Sequence, residues 1–213
     1  MLHVWSVISS HSLSLSAAAL FRVASLTLVA LFLWFGMDVR RKAGTGSFVG
    51  HGWQTLMKLA AFSLIGLFVR VVLTIPEPRS LEWIALGLMG SGTACVVAAK
   101  RTLGSTHTFA GQYRHRTQLV TRGVYALTRN PLYFGVYQCE LGASICAARR
   151  APDLFPGTYL YWLAVTGAAL AYVVAFNWSM ARREAQQLER QFGDGYRQYA
   201  AHVPFLIPFT TQH

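Results

Sequence analysis

The polar segment 118–135 holds the residue types best suited to chemistry, and it lies between strongly hydrophobic runs. Its arginines include Arg129, whose guanidinium can bind anionic groups. Tyr125 and Tyr133 offer hydroxyl groups and aromatic faces, and Asn130 can both donate and accept hydrogen bonds. An ordinary cytoplasmic loop rich in basic residues would have a similar composition, so the residue types alone leave both interpretations open.

Two glutamates add to the candidate chemistry. Glu184 opens a second polar block, residues 184–208, and can bind ammonium or hydroxyl groups. Glu140 lies within a hydrophobic run, where a carboxyl group is costly and usually faces a cavity or a partner. Two interpretations of Glu140 stay open: a substrate contact, or a protonated or paired side chain inside a helix bundle, with Arg70 or Gln138 as partner.

The composition indicates a membrane protein, since 54% of the 213 residues are hydrophobic and only 13% are charged. Soluble domains usually carry about a quarter charged residues. Five hydrophobic runs each approach the ~20 residues that cross a bilayer core. These runs are 17–37, 56–75, 81–99, 132–148 and 154–178. We therefore expect one all-α domain, residues 1–213. It would be a polytopic membrane helix bundle of about five transmembrane helices plus a cytoplasmic carboxyl-terminal helical segment, with amino-terminal spans in 17–99 and a core in 101–208.

The basic residues cluster at the ends of the hydrophobic runs, as cations that flank transmembrane helices do. The net charge of +11 therefore indicates a membrane surface, and we expect no nucleic acid as partner. The first and third loops are the basic ones, which predicts that they and the carboxyl terminus lie in the cytoplasm. We expect a multi-pass protein of the cytoplasmic (inner) membrane. Its first run is too long for the ~7–15-residue core of a signal peptide, which predicts a retained span.

The spacing within the two polar blocks resembles that of one group of enzymes. The first block reads Leu-Val-Thr-x-Gly-Val-Tyr at 119–125 and Arg-Asn-Pro-x-Tyr-x-Gly at 129–135. The second reads Glu-x-x-x-Leu from position 184, Phe-Gly-x-x-Tyr-x-x-Tyr from 192 and Val-Pro from 203. This pattern resembles the isoprenylcysteine carboxyl methyltransferase family and the related phospholipid methyltransferases. The resemblance covers residues 101–208, about half of the chain.

The resemblance implies a membrane enzyme that uses S-adenosylmethionine without a Rossmann domain, and no strand followed by G-x-G-x-x-G occurs in the sequence. It implies O- or N-methylation of a lipid-like or prenylated acceptor. An amine acceptor must lose a proton, and Glu140 and Glu184 are the first candidates to accept it. The predicted catalytic residues are these two glutamates and Arg129. Carried over position by position, the family's cofactor contacts fall on Thr117, Gln118, Leu119, Val120, Tyr125, Asn130, Pro131, Leu132, Tyr133 and Glu184.

The sequence departs from the family pattern at three places. The family's frequent His-Pro pair is Asn130-Pro131 here, which keeps hydrogen-bonding capacity but does not titrate. The family often has histidine where this chain has Thr117, and His115 lies two residues earlier. The prenylcysteine enzymes place a substrate-binding arginine four residues before the glutamate, and that position is Met180 here. Arg182 and Arg183 are the candidates to replace the missing guanidinium. The loss favours a neutral or amine-bearing acceptor over a carboxylate.

An alternative class is a non-enzymatic helical membrane protein, such as a transporter subunit or assembly factor, whose basic loop binds lipid headgroups. It accounts for the composition and the topology equally well. It does not account for two separated blocks with the spacing of one family. Membrane lipids are expected partners in both cases, no metal is expected because the histidines and cysteines lack ligand spacing, and the oligomeric state is not predicted.

Overall fold

Helices form most of the residues that the computed structural model describes, which are 16–36, 45–104, 112–114 and 118–210. Two three-residue strands, β1 (Thr45–Ser47) and β2 (Gln112–Arg114), pair antiparallel. A 3-10 turn covers Gly123–Ala126. The helices are α1 (Ala17–Gly36), α2 (His51–Thr74), α3 (Ser80–Leu103), α4 (Pro131–Leu154), α5 (Tyr159–Phe192) and α6 (Asp194–His202). The predicted helical bundle is confirmed, with the small β-ribbon as an addition.

Within the described residues, four helices are long and hydrophobic enough to cross a bilayer: α1, α2, α3 and α5. The helix α4 is not among them, so hydrophobicity supports four spans where the sequence predicted about five. Its 24 residues would reach roughly 36 Å, enough for a bilayer core. Its composition differs because it carries Glu140 and, near its end, Arg149, Arg150 and Asp153. It packs mainly against α3 and also contacts α2 and α5.

Glycines bring α3 and α4 into backbone contact. A Cβ atom on Gly135 would lie 2.6 Å from the Gly92 carbonyl oxygen, and one on Gly142 would lie 2.5 Å from the Ala85 carbonyl oxygen. Small residues allow this close approach, which is common between membrane helices. The contact fixes the start of α4, where the polar segment 118–135 ends, against the end of α3.

A buried carboxylate joins the opposite ends of these helices. Glu82, in the first turn of α3, is fully buried. It accepts a hydrogen bond from Arg149 Nε at 3.1 Å and forms an ion pair with Arg150 Nη2 at 3.4 Å. Arg150 Nη2 also donates to the Glu77 carbonyl oxygen at 3.1 Å. The arginines at this end of the bundle therefore have anionic or carbonyl partners, in keeping with the balanced charge of the loops there.

The helix α5 continues well past the end of its hydrophobic run, which the sequence put at residue 178. It ends at Phe192 because Gly193 has a φ of +51°, a left-handed conformation that residues with a Cβ rarely adopt. The chain then restarts as α6, so the predicted carboxyl-terminal helical segment is present. This extension carries Glu184 out to the end of the bundle where the polar segment 118–135 lies.

Candidate functional site

The two polar blocks meet at a hydrogen bond between α4 and α5. The Tyr133 hydroxyl donates to Glu184 Oε1 at 2.7 Å, across 51 positions in sequence. Tyr133 is buried in the first turn of α4, which Pro131 begins from the N1 position. Glu184 is half-buried on the extended part of α5. Two residues predicted as cofactor contacts are thus brought into direct contact.

Tyr125 lies close to this pair. It is buried in the 3-10 turn, and the pKa of its hydroxyl is raised, first by burial and then by the charge of Glu184. The Tyr199 hydroxyl donates to the Tyr125 carbonyl oxygen at 2.6 Å and so ties α6 to the turn. Tyr125 therefore remains a protonated hydroxyl near Glu184 at neutral pH.

The tail after α6 crosses the segment just before α4 and is fastened to it by hydrogen bonds. This contact gives the Val-Pro motif of the second block a structural role, which sequence reasoning did not foresee. It also engages the Asn130 amide group, a predicted cofactor contact. The Thr128 Oγ1 donates to the Leu206 carbonyl at 2.8 Å, the Arg129 amide to Pro204 at 2.9 Å, and Asn130 Nδ2 to Phe205 at 2.7 Å.

Arg129, a predicted catalytic residue, lies in different surroundings from Glu184. Its guanidinium stacks over the Phe205 ring at 5.4 Å. It also lines an open cavity of about 250 Å³ beside Arg182 and Tyr196, which Tyr133 and Glu184 do not line. This placement suits a contact with an anionic group at the surface, and a catalytic role for Arg129 stays a prediction.

The remaining predicted cofactor residues fall into two groups. Gln118 is exposed and Leu119 and Val120 are half-buried, so the segment leading to the 3-10 turn offers accessible backbone. Leu132 is half-buried beside Tyr133, and both residues line a second cavity, which lies between the helices. Thr117, and His115 with it, lie outside the described residues.

The second, apolar cavity runs between α1, α2, α3, α4 and α5 and has a volume of about 160 Å³. Its walls are mainly aliphatic and aromatic, and Leu132 and Tyr133 contribute to them. Glu140 also lines it, and no described residue forms a hydrogen bond with its buried Oε2 atom. The Arg70 guanidinium, one predicted partner, stacks instead over the Phe155 ring at 5.4 Å. Glu140 thus lies in the cavity wall, seven residues after Tyr133 on α4.

Met180 occupies the position of the arginine found in the prenylcysteine enzymes. It is 1% exposed and packs in a cluster with Tyr133 and Phe176. The two candidate replacements are engaged elsewhere, because Arg182 stacks over the Trp178 ring at 5.5 Å and Arg183 Nη1 donates to the Phe48 carbonyl oxygen at 2.7 Å. Neither guanidinium takes over the position of Met180.

Comparison with known proteins agrees with the resemblance found in the sequence. The phospholipid methyltransferase family matches residues 81–152, which include α3, the segment 118–135 and most of α4. The match ends before Glu184. The comparison with curated proteins gives no match. Together with the four hydrophobic helices, the match indicates an integral membrane protein of the methyltransferase class.

The described part of the chain contains no group of three or more His, Cys, Asp or Glu side chains that could hold a metal ion.

Proposed function

We propose that this protein is an integral membrane methyltransferase that transfers a methyl group from S-adenosylmethionine to a lipid-like acceptor. One observation carries the proposal: Tyr133 belongs both to the polar pair with Glu184 and to the wall of a largely apolar cavity. A charged, water-soluble donor needs polar partners, and a lipid chain needs an apolar channel. The polar pair and the apolar cavity share Tyr133, so the donor and the acceptor could bind next to each other there.

The side chains at this junction suit the functional groups of the donor. Glu184 can accept hydrogen bonds from ribose hydroxyls or from an ammonium group. The aromatic faces of Tyr125 and Tyr133 favour a sulfonium cation, and backbone groups near Leu119 and Val120 can bind the edges of adenine. When bound, S-adenosylmethionine supplies an electrophilic methyl group.

The protein's main tasks in such a reaction are alignment and the exclusion of water. The acceptor atom forms a bond to the methyl carbon as the carbon–sulfur bond breaks, and the sulfur leaves uncharged. The buried side chains of Tyr125, Tyr133 and Met180 would exclude water from the place where the methyl group is transferred. An amine acceptor must first lose a proton, and Glu184 is the carboxylate that is hydrogen-bonded to Tyr133 in the cavity wall.

In this proposal the acceptor is a neutral or amine-bearing lipid rather than a prenylcysteine carboxylate. Met180 provides no charge to hold a carboxylate, and Arg183 is hydrogen-bonded to the Phe48 carbonyl oxygen. A carboxylate brought into a partly dry cleft without a cation loses its hydration with little return. A prenylated acceptor remains the second candidate, because the apolar cavity would accept an isoprenoid chain equally well.

We further propose that the donor site faces the cytoplasm and that the carboxyl terminus lies on the same side of the inner membrane. The arginines near the site include Arg122, Arg129 and Arg182. At the other end of the bundle, Arg149 and Arg150 are paired with Glu82. A surplus of basic over acidic residues is typical of the cytoplasmic side.

The test is cofactor binding and methyl transfer by the purified protein. Tritium-labelled S-adenosylmethionine is incubated with the protein in nanodiscs that contain phosphatidylethanolamine, or with farnesylcysteine analogues, and the labelled product is identified. We expect a labelled phospholipid, and a Glu184→Gln affinity for S-adenosylmethionine lower by roughly 10- to 100-fold, since hydrogen bonds to charged groups contribute about 1.5–3 kcal/mol.

Glu189→Gln is the matched control for this test. Glu189 lies on the same helix, but its exposed carboxylate pairs with Arg197 at 3.0 Å. Its neutralisation should leave cofactor affinity unchanged. A protein that binds no S-adenosylmethionine would instead support the non-enzymatic alternative, and efficient labelling of farnesylcysteine would overturn the choice of acceptor.

A further inference from the structure

The carboxyl group of Glu140 lies in a mostly apolar wall, where it does not stabilise the packing of the helices. Its Oε2 atom is buried and has no hydrogen-bond partner among the described residues, while most of the surrounding cavity wall is aliphatic or aromatic. Burying a carboxyl group without a partner costs free energy that apolar contacts do not return. A group that is costly to the fold and lines a cavity is suited to bind what enters that cavity.

The position of Glu140 makes it unsuited to accept a proton from an amine acceptor. It follows Tyr133 by seven residues on one helix, which separates the two residues by about 10 Å along the helix axis. The Glu184 carboxylate hydrogen-bonds Tyr133 at 2.7 Å and marks the polar end of the site. Glu140 therefore lies two turns away from the proposed reacting atoms, beside the chain of an acceptor rather than its headgroup.

Three side chains that carry hydroxyl groups also line the cavity. Ser144 follows Glu140 by one turn on the same face of α4. Thr166 on α5 and Thr93 on α3 contribute hydroxyl groups to the walls formed by those helices. The cavity wall thus combines the Glu140 carboxyl group with three hydroxyl groups. Lys58 and Asn177 also line the cavity, next in sequence to Met57 and Phe176, which pack with Tyr133 at the polar end. The rest of the wall is mostly apolar.

We propose that these polar side chains bind a neutral hydroxyl group carried on the apolar chain of the acceptor, at the level of Glu140, about 10 Å along the helix axis from Tyr133. The inference rests on the proposed function, which supplies the lipid-like acceptor. A hydroxyl can donate to Oε2 and accept from a neighbouring hydroxyl. A cation would be far more costly to bring through the bilayer core, an anion would be repelled by a carboxylate, and an unsubstituted chain would leave Oε2 without a partner.

The test compares two diacyl phosphatidylethanolamines with the same chain lengths, one of which carries a hydroxyl on an acyl chain. Each competes with a fluorescent fatty acid for the cavity of the full-length protein in nanodiscs, without S-adenosylmethionine. We expect the hydroxylated lipid to bind about 10-fold more tightly, as for one hydrogen bond to a charged or strongly polar group. Equal affinities in the wild-type protein would overturn the inference.

Variants identify the group responsible for the preference. Glu140→Leu should abolish the preference, and Glu140→Gln, which keeps hydrogen-bonding capacity and similar size, should retain part of it. Leu141→Gln is the matched control, because Leu141 is 53% exposed and does not line the cavity, and it should keep the full preference. Persistence of the preference in Glu140→Leu would overturn the inference. A third lipid carries an amine in place of the chain hydroxyl. Tighter binding of this amine lipid, lost in Glu140→Gln, would also overturn the inference.

This experiment separates the inference from the proposed function. Lipid competition needs no cofactor, so a hydroxyl preference can be present in a protein that fails to bind S-adenosylmethionine. Cofactor affinity is measured in the same three variants and should be unchanged. Glu140→Gln tests the inference even if Glu140→Leu does not fold, because complete loss of the preference with Gln would contradict a neutral hydrogen bond.

Discussion

The hydrogen bond between Tyr133 and Glu184 connects the two polar blocks through single side chains. Each residue belongs to a different block, and Met180 and Phe176 pack with Tyr133 on the α5 side. A partly buried carboxylate keeps its position when donors satisfy its lone pairs. Tyr133 therefore has two roles in the proposed site: its ring lines the cavity and its hydroxyl orients Glu184.

Tyr133→Phe separates these two roles. The substitution keeps the ring and removes the donor, so we expect S-adenosylmethionine to bind about 5-fold more weakly, the equivalent of one net hydrogen bond of ~1 kcal/mol. Isothermal titration calorimetry in detergent measures it. Tyr137→Phe is the control, since the Tyr137 hydroxyl lies one turn further along and donates to the Val174 carbonyl at 3.2 Å. Equal losses of affinity in both variants would count against a specific role for Tyr133.

The helices α3 and α4 act as one unit because their backbones touch. Gly92, Gly135 and Gly142 remove the side chains that would otherwise hold them apart. The phospholipid methyltransferase match covers nearly all of this pair and the segment between them. The start of α4, and with it Tyr133, is therefore positioned by packing along α3 rather than by the loop alone.

Gly142→Ala should destabilise the protein, because the new Cβ would lie 2.5 Å from the Ala85 carbonyl oxygen and 2.7 Å from Met89 Cγ. Overpacking of this kind costs roughly 1–3 kcal/mol. Gly87→Ala on α3 is the control, since nothing lies within 4 Å of its Cβ position. That change should be neutral or stabilising by about 0.5–1 kcal/mol, because alanine favours helix. Thermal unfolding in detergent measures both, and a similar Tm for the two variants would argue against close packing at Gly142.

The segment before α4 depends on the tail that crosses it. Asn130→Ala removes the donor to the Phe205 carbonyl oxygen at 2.7 Å and leaves that oxygen without this partner. We expect a loss of about 1 kcal/mol in stability and faster proteolysis of the tail after α6. Asn177→Ala, at another buried asparagine on α5, serves as a comparison for the loss of a buried amide. Unchanged proteolysis of the tail in Asn130→Ala would show that the remaining hydrogen bonds suffice.

Across the protein, periodic and compositional features were predictable from sequence, and long-range packing was not. Hydrophobic runs gave the helices, and motif spacing indicated that Tyr133 and Glu184 belong to one site. The lower hydrophobicity of α4 reflects its neighbours, since a helix packed against α3, α2 and α5 exposes less surface to lipid. The tail contact at Phe205 and the depth of Glu140 in the cavity depend on how distant segments meet, which no local pattern encodes.

The orientation of the bundle is the remaining proposal, and cysteine labelling tests it directly. In a variant without Cys95, Cys139 and Cys146, single cysteines are placed at the exposed positions Thr121 and Glu77. Thr121 precedes the 3-10 turn near the donor site, whereas Glu77 lies in the turn between α2 and α3 at the other end. The excess of basic residues around the donor site predicts that Thr121→Cys reacts with a membrane-impermeant maleimide only after permeabilisation, and Glu77→Cys in intact cells. Labelling of Thr121→Cys in intact cells would reverse the topology and, with it, the cytoplasmic route for the methyl donor.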